Sequence, residues 1–373
     1  MIHSELKKTG IPILYYHSVA DHDLNNEWSF LSIGVELFKK QINYLHRKGY
    51  TSCDWKELDD HLQGIKKLPE KTVMFHFDDG FLDNWSVVFP IMKKYNFKYS
   101  VLITPEFVQE GEVRPFVEQT SEHNKENWWG YLNKKEIKKM TDSNLVDFQA
   151  HGYTHTWYES SQELIDIYDE NNFFPHIPWN IQPEKKAYWL LDPFKAPVGY
   201  PVFEYKKSLE LEKRFFLNKD CIQELISSYD TSQTKEENLK LYNKVINTYK
   251  ENDNLGRYET KKESNDRLMK ELKSTRDYIQ VITKKPVDYL VFPGGGSSKK
   301  VISLAKEAGY KIVSKGNDLN LFNSKVYQIE RYSAVYNFPK SLSNSLNIVF
   351  LKLQLKRAKN NYLVSKLFNF LRS

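Results

Sequence analysis

The run Phe75-His76-Phe77-Asp78-Asp79-Gly80 places two adjacent carboxylates directly after an apolar stretch and follows them with a glycine. Further on, His151-Gly152-Tyr153-Thr154-His155 places two imidazoles four residues apart, again directly after an apolar stretch. One carboxylate and two imidazoles form a facial set that can hold a divalent ion and leave positions open for water and substrate. A spare carboxylate can then serve as a general base. The combination points to metal-assisted hydrolysis.

Each motif also has a plainer reading. Asp caps helices well, so Asp78-Asp79 alone could cap a helix starting at Phe81. Adjacent side chains on extended chain point to opposite faces. Both carboxylates therefore reach one centre only if the chain turns there, as Gly80 permits. An isolated pair of histidines is commonly just packed or hydrogen-bonded, and it is the two motifs together that favour a metal. His17 follows the apolar Ile11–Tyr16 run; it matters because hydrolysis of an amide needs a proton for the leaving amine. Pro293-Gly294-Gly295-Gly296 lacks the spacing of a phosphate-binding loop. Its glycines can offer backbone N–H groups to a developing oxyanion, or simply make a tight strand-to-helix turn.

The elements that must position these groups follow from the apolar pattern. Strands are predicted at Ile11–Tyr16, Tyr50–Cys53, Thr72–Phe77, Tyr99–Thr104, Leu145–Ala150, Val287–Phe292, Tyr310–Ser314 and Val326–Ile329. Helices are predicted at 32–48, Trp85–Tyr95, Lys134–Asp142, Asn265–Thr283 and Lys299–Ala308. Alternating strands and helices imply an α/β protein with a parallel sheet, open or closed into a barrel, whose chemistry sits at the C-terminal strand ends. Asp78–Asp79, His151–His155 and Pro293–Gly296 each directly follow a predicted strand. The rhythm breaks between Trp157 and about Glu263, a stretch too long for a loop. Twelve aromatic residues in the 49 from Trp157 to Tyr205, against 14% for the chain, suggest an inserted subdomain or lid. Ser227–Asn265 reads as a solvated helix.

Composition limits the partners. The net charge of the 373-residue chain is +6, but residues 340–373 alone hold seven basic and no acidic groups, leaving the rest near −1. A nearly neutral body argues against nucleic acid. Two cysteines, Cys53 and Cys221, do not make a disulfide framework. No signal sequence or run of about 18 apolar residues is seen, so a cytoplasmic location is expected. The basic, apolar tail either docks on the body or makes peripheral contact with the inner membrane face.

These residues resemble the polysaccharide deacetylase family, the NodB-homology domains of carbohydrate esterase family 4. Phe77-Asp78-Asp79-Gly80 is similar to its TFDDG motif, with His76 in place of threonine. His151-Gly152-Tyr153-Thr154-His155 is similar to HSxxH, with Gly152 in place of serine. Asp288–Gly296 resembles the strand leading to a PYG-type turn, and Ala308-Gly309-Tyr310 the AGY that follows. The opening Leu14-Tyr15-Tyr16-His17-Ser18-Val19 resembles the subgroup acting on poly-N-acetylglucosamine. The resemblance covers roughly 11–156 and 264–335. It implies a distorted (β/α)7 barrel of the NodB-homology type, with Asp79, His151 and His155 as metal ligands and Asp78 as base. It further implies His17 as acid and Gly294, with Gly295 beside it, facing the substrate. One divalent ion is expected, zinc first, with iron, cobalt, nickel or manganese as alternatives. The implied activity is removal of acetyl groups, N-acetyl foremost, from a sugar or polysaccharide. The alternatives are a non-catalytic carbohydrate-binding protein and a metal hydrolase of a non-sugar amide. Many members carry an arginine where Val291 stands; Arg331, after the final predicted strand, is then the group left to orient Asp78. The expected division is a barrel at 1–156 and 264–339, an insert at 157–263 and a tail at 340–373.

Overall fold

The structure is a computed structural model that describes residues 10–20, 31–117, 129–169, 171–315, 318–321, 329–334 and 343–359. Its main strands in chain order are β1 (Ile13–Tyr16), β2 (Thr72–Phe77), β3 (Tyr99–Ile103), β4 (Val146–Ala150), β5 (Trp157–Tyr168), β6 (Tyr200–Lys207), β7 (Tyr289–Val291), β8 (Ile312–Lys315), β9 (Asp318–Leu321) and β10 (Ile329–Ser333). β1 pairs with β2 on one side and with β10 on the other, so the sheet closes on itself as a distorted barrel. All neighbours in the ring run parallel except β9, which lies antiparallel to both β8 and β10. The join is weakest between β4 and β7, where only Leu290 and Ala150 are paired.

Every residue of β2 is buried, as a strand covered on both faces requires. The period-2 alternation sorts the strands' side chains into two cores. Ile13, Met74, Leu102, Tyr289, Val291 and Ile312 fill the barrel, closed at one end by Trp55 and Leu58 of a short helix. Trp55 stacks on Tyr289 with ring centroids 4.3 Å apart. Leu14, Phe75, Phe77, Val101, Phe148 and Leu290 face outward into a larger core under the helices. Those helices begin where capping chemistry predicts. Asn133 with Glu136 and Thr260 with Glu263 form capping boxes at Lys134–Asp142 and Lys261–Thr283.

Three elements depart from the pattern-based expectation. The chain after β2 makes a π-helical turn at Asn84–Val88 before the α-helix Phe89–Lys94, instead of one continuous helix. The last barrel strand is Ile329–Ser333; residues 322–328, where most of the expected strand falls, lie outside the described residues. Residues 157–258 are built around a long antiparallel ribbon, β5 with β6, that periodicity does not reveal because register shifts interrupt its alternation. The polar stretch expected as a solvated helix holds Lys235–Glu251, which buries Tyr242 and Ile246 against Ile167, Phe203, Phe215 and Leu225. Other turns of the insert pack Trp179 against Phe81, Phe107, Trp129 and Tyr131 at the barrel rim.

Candidate active site

Asp78 and Asp79 leave β2 as the strand ends, and Asp79 has φ +72° with Gly80 at +72° behind it. A left-handed aspartate is uncommon and costs on the order of 1 kcal/mol. It breaks the extended geometry that would have sent the two carboxylates apart. The positive φ favours glycine at position 80, and a Cβ there would also sit 2.8 Å from Ile103 Cδ1, which would have to give way. The second motif turns in the same way, with Gly152 at φ +76° and His155 at +45°.

The result brings His151 Nε2 and His155 Nε2 each to 3.2 Å from Asp79 Oδ1. His151 Nδ1 lies 2.9 Å from the Val291 carbonyl oxygen. A carbonyl can only accept, so Nδ1 carries the proton and Nε2 turns a lone pair toward Asp79. Among the described residues no hydrogen bond reaches the buried Asp79 Oδ1. The His151 lone pair thus faces the carboxylate with no proton between them, His155 Nε2 stands at the same distance, and the three ligand atoms lie within 4.8 Å of one another. That arrangement fits a divalent cation and is otherwise repulsive.

Asp78 faces a different set. Arg331 Nη2 donates to Asp78 Oδ2 at 2.5 Å, and His17 Nε2 lies 3.9 Å from the same oxygen. Burial opposes ionisation of Asp78, and Arg331, His151 and His17 overcome it, so its pKa stays below the ordinary value. Burial pushes the His17 pKa down, while Asp79 and Asp78 pull against that. The Tyr15 ring lies 4.8 Å from the Arg331 guanidinium carbon and steadies it.

A cavity of about 360 Å³ joins these groups and is lined also by Trp157, Lys207 and the turn at Pro293–Gly295. Gly294 sits at φ +54° in that turn. The Gly295 N–H donates to the Phe292 oxygen and the Gly296 N–H to the Pro293 oxygen, so both are spent within the turn. Gly295 therefore lines the cavity but has no N–H to offer it. Lys207 Nζ donates to the Gly294 oxygen at 2.8 Å.

The structure thus brings Asp78, Asp79, His151, His155, His17, Gly294 and Arg331 to one cleft. Of the aromatic residues between Trp157 and Tyr205, Trp157 lines it, whereas Trp179, Trp189 and Phe194 pack among themselves and Phe174, Tyr168 and Tyr205 in a second cluster. Sequence reasoning missed the groups that hold the site. Asn84 Nδ2 donates to the His17 oxygen at 3.0 Å, and the Ser18 hydroxyl donates to Asp83, whose carboxyl burial pushes up to about 7. The signal was present as a polar Asp83-Asn84 pair inside an otherwise apolar run.

The polysaccharide deacetylase family model matches residues 65–172 and 246–313. YxkH of Bacillus subtilis, described as a candidate polysaccharide deacetylase, is 33% identical over 97 residues, 26% of this chain and 33% of that protein. The matched stretch therefore spans about a third of that relative's length. A poly-beta-1,6-N-acetyl-D-glucosamine N-deacetylase of Staphylococcus aureus is 25% identical over 267 residues, 62% of this chain and 86% of that protein. Among solved structures, a de-N-acetylase from Aggregatibacter actinomycetemcomitans superposes with a TM-score of 0.54 at 17% identity, over 91% of this chain and 99% of that one, which shows a shared fold.

Proposed function

We propose that this chain, which matches the polysaccharide deacetylase family over residues 65–172 and 246–313, hydrolyses the N-acetyl groups of an N-acetylglucosamine polymer with the help of one divalent ion. The observation that carries the reading is the convergence of the Asp79 carboxylate and two imidazole nitrogens beside the separately ionised Asp78. Asp79, His151 and His155 would hold the ion, zinc by ligand type, although the same set suits cobalt, nickel, iron or manganese. Bound there, the ion would polarise an acetyl carbonyl and make a water acidic at neutral pH.

The chain's own groups supply the proton transfers. Asp78 takes the proton of the attacking water, and Arg331 keeps it ionised and aimed for that purpose. His17 returns a proton to the departing amine, on the far side of Asp78. Burial holds the His17 pKa below its ordinary value, and the two carboxylates offset that only in part. The Gly294 turn forms the wall where charge would grow on the carbonyl oxygen. Trp157 offers an apolar ring face beside His155, 6.1 Å between centroids, suited to the face of a pyranose.

The test is acetate release from β-1,6-linked N-acetylglucosamine oligomers by the full chain, stripped with chelator and reloaded with zinc or cobalt. Stoichiometric acetate and free amine are expected from the reloaded protein alone. Absence of acetate with every ion, from a protein that binds the ion, would leave a carbohydrate-binding role instead.

A further inference from the structure

Both metal-site histidines follow β4, but they are held by different parts of the molecule. His151 belongs wholly to the barrel. Its N–H donates to the Ile103 oxygen at 2.9 Å, its carbonyl accepts from Thr104 Oγ1 at 3.2 Å, and its ring is fixed by Val291. His155 has a strained backbone, φ +45°. Its position is set through the preceding residue, Thr154. The Thr154 hydroxyl donates to Glu271 Oε1 at 3.1 Å, from the helix Lys261–Thr283. The Thr154 carbonyl, which belongs to the same peptide plane as the His155 nitrogen, accepts from Lys186 Nζ at 2.6 Å.

Lys186 lies between β5 and β6, within residues 173–245 that the family model leaves unmatched. Its side chain is 1% exposed. Burying an ammonium costs several kcal/mol unless it is paired and hydrogen-bonded. Here Glu106 Oε2 accepts at 2.5 Å, and the Trp179 ring lies 5.3 Å below. Glu106 in turn donates its own N–H to the Tyr153 oxygen at 3.2 Å, one residue before Thr154. An ion pair that only fastened this segment to the barrel could use any surface carbonyl. This one closes on the peptide that carries a metal ligand.

We propose that Lys186 is a positioning residue for His155, so that the segment between β5 and β6 completes the metal site as well as walling the cleft. The inference rests on the metal reading above. Without Lys186 the Thr154–His155 peptide is free to relax toward negative φ, which swings His155 Nε2 away from Asp79 while His151 stays in place.

The test compares the full chain with the double variant Lys186→Met/Glu106→Gln, which removes the ammonium without leaving its carboxylate unpaired. Tyr242→Phe serves as the control, because it loosens the same segment elsewhere by deleting the 2.6 Å bond from the Tyr242 hydroxyl to the Gly199 oxygen. Zinc affinity is read by competition with a chelating dye, and cobalt coordination by visible absorption. The double variant should lose about 10- to 100-fold in zinc affinity, the range typical of groups that orient a ligand, with a weakened cobalt spectrum. Tyr242→Phe should match the parent. Affinities within a factor of about two for all three proteins would overturn the proposal. A parent that binds neither ion would instead overturn the metal reading itself. If the double variant does not fold, amide exchange in the parent decides, since coupling between sites is reciprocal. Zinc should slow exchange at 185–191 together with 152–156; slowing confined to 151–157 would overturn the proposal.

Discussion

At the scale of single residues, the site divides labour between two neighbouring carboxylates by giving them different partners. Asp79 faces two imidazole nitrogens and Asp78 faces a guanidinium, so one is suited to hold a cation and the other to hold or release a proton. Asp79→Asn or His155→Ala should therefore abolish both tight zinc binding and activity, measured by metal analysis of dialysed protein and by acetate release. Asp78→Asn should retain the ion and lose roughly 10²-fold or more in kcat. Arg331→Met tests the electrostatics. Removing the cation lets burial raise the Asp78 pKa, so the acid limb of the kcat/KM profile should move to higher pH than in the parent. An unmoved limb would assign that titration to another group. The ligand residues are legible in sequence because their spacing and their place after apolar runs are local facts. The role of Arg331 is far less so, since its partner lies 253 residues away. His76 is legible only as a departure from the family motif. It is a buried imidazole with neither ring nitrogen hydrogen-bonded among the described residues, 5.4 Å from the Tyr289 ring, and burial drives its pKa well down.

At the scale of elements, parallel strands announce themselves as continuous apolar runs, and that pattern alone assigns the residues after them to one rim. The ribbon β5–β6 gives no such sign. Its residues 157–168 read polar and aromatic, and its pairing is set by contacts that begin some forty residues later, where local pattern carries no signal. This layer also has its own pH sensitivity. His176 is packed against Tyr205, with ring centroids 4.3 Å apart, and burial pushes its pKa down to about 4. Between that value and the ordinary 6.5 the unfolded chain binds a proton that the folded chain refuses. Stability is thus fully present above about pH 6.5 and is lost as pH falls toward 4, by at most about 3 kcal/mol. Urea unfolding of the parent and His176→Phe should give a stability difference that shifts against the parent across that window. A difference independent of pH would show that His176 titrates normally in the fold.

At the scale of the whole molecule, the basic tail is partly accounted for. The helix Ser343–Ala358 buries Leu351 and Leu355, Gln354 Nε2 donates to the Ser333 oxygen at 3.1 Å, and Lys352 Nζ lies 5.2 Å from the Tyr44 ring. Docking on the barrel thus consumes apolar residues that a membrane would otherwise need. Leu351→Ala should cost about 2–5 kcal/mol of stability, read by denaturant unfolding, and a cost under about 1 kcal/mol would argue that the helix is held loosely. Residues 360–373 lie outside the described residues, so any vesicle binding is assigned to them by comparing flotation of the full chain with one ending at Lys359. The closing of the ring has a further consequence, for how the chain is made. β1 is synthesised first, yet its second neighbour, β10, is nearly the last strand to appear. A nascent chain therefore carries bare strand edges from the emergence of β1 until that of β10, the condition in which edge pairing with other chains is most dangerous. Asp78 also meets Arg331 only when that final strand docks. Competence for chemistry should consequently arrive in a single late step, after a slow search set by long-range contacts. It should not grow as successive strands emerge from the ribosome.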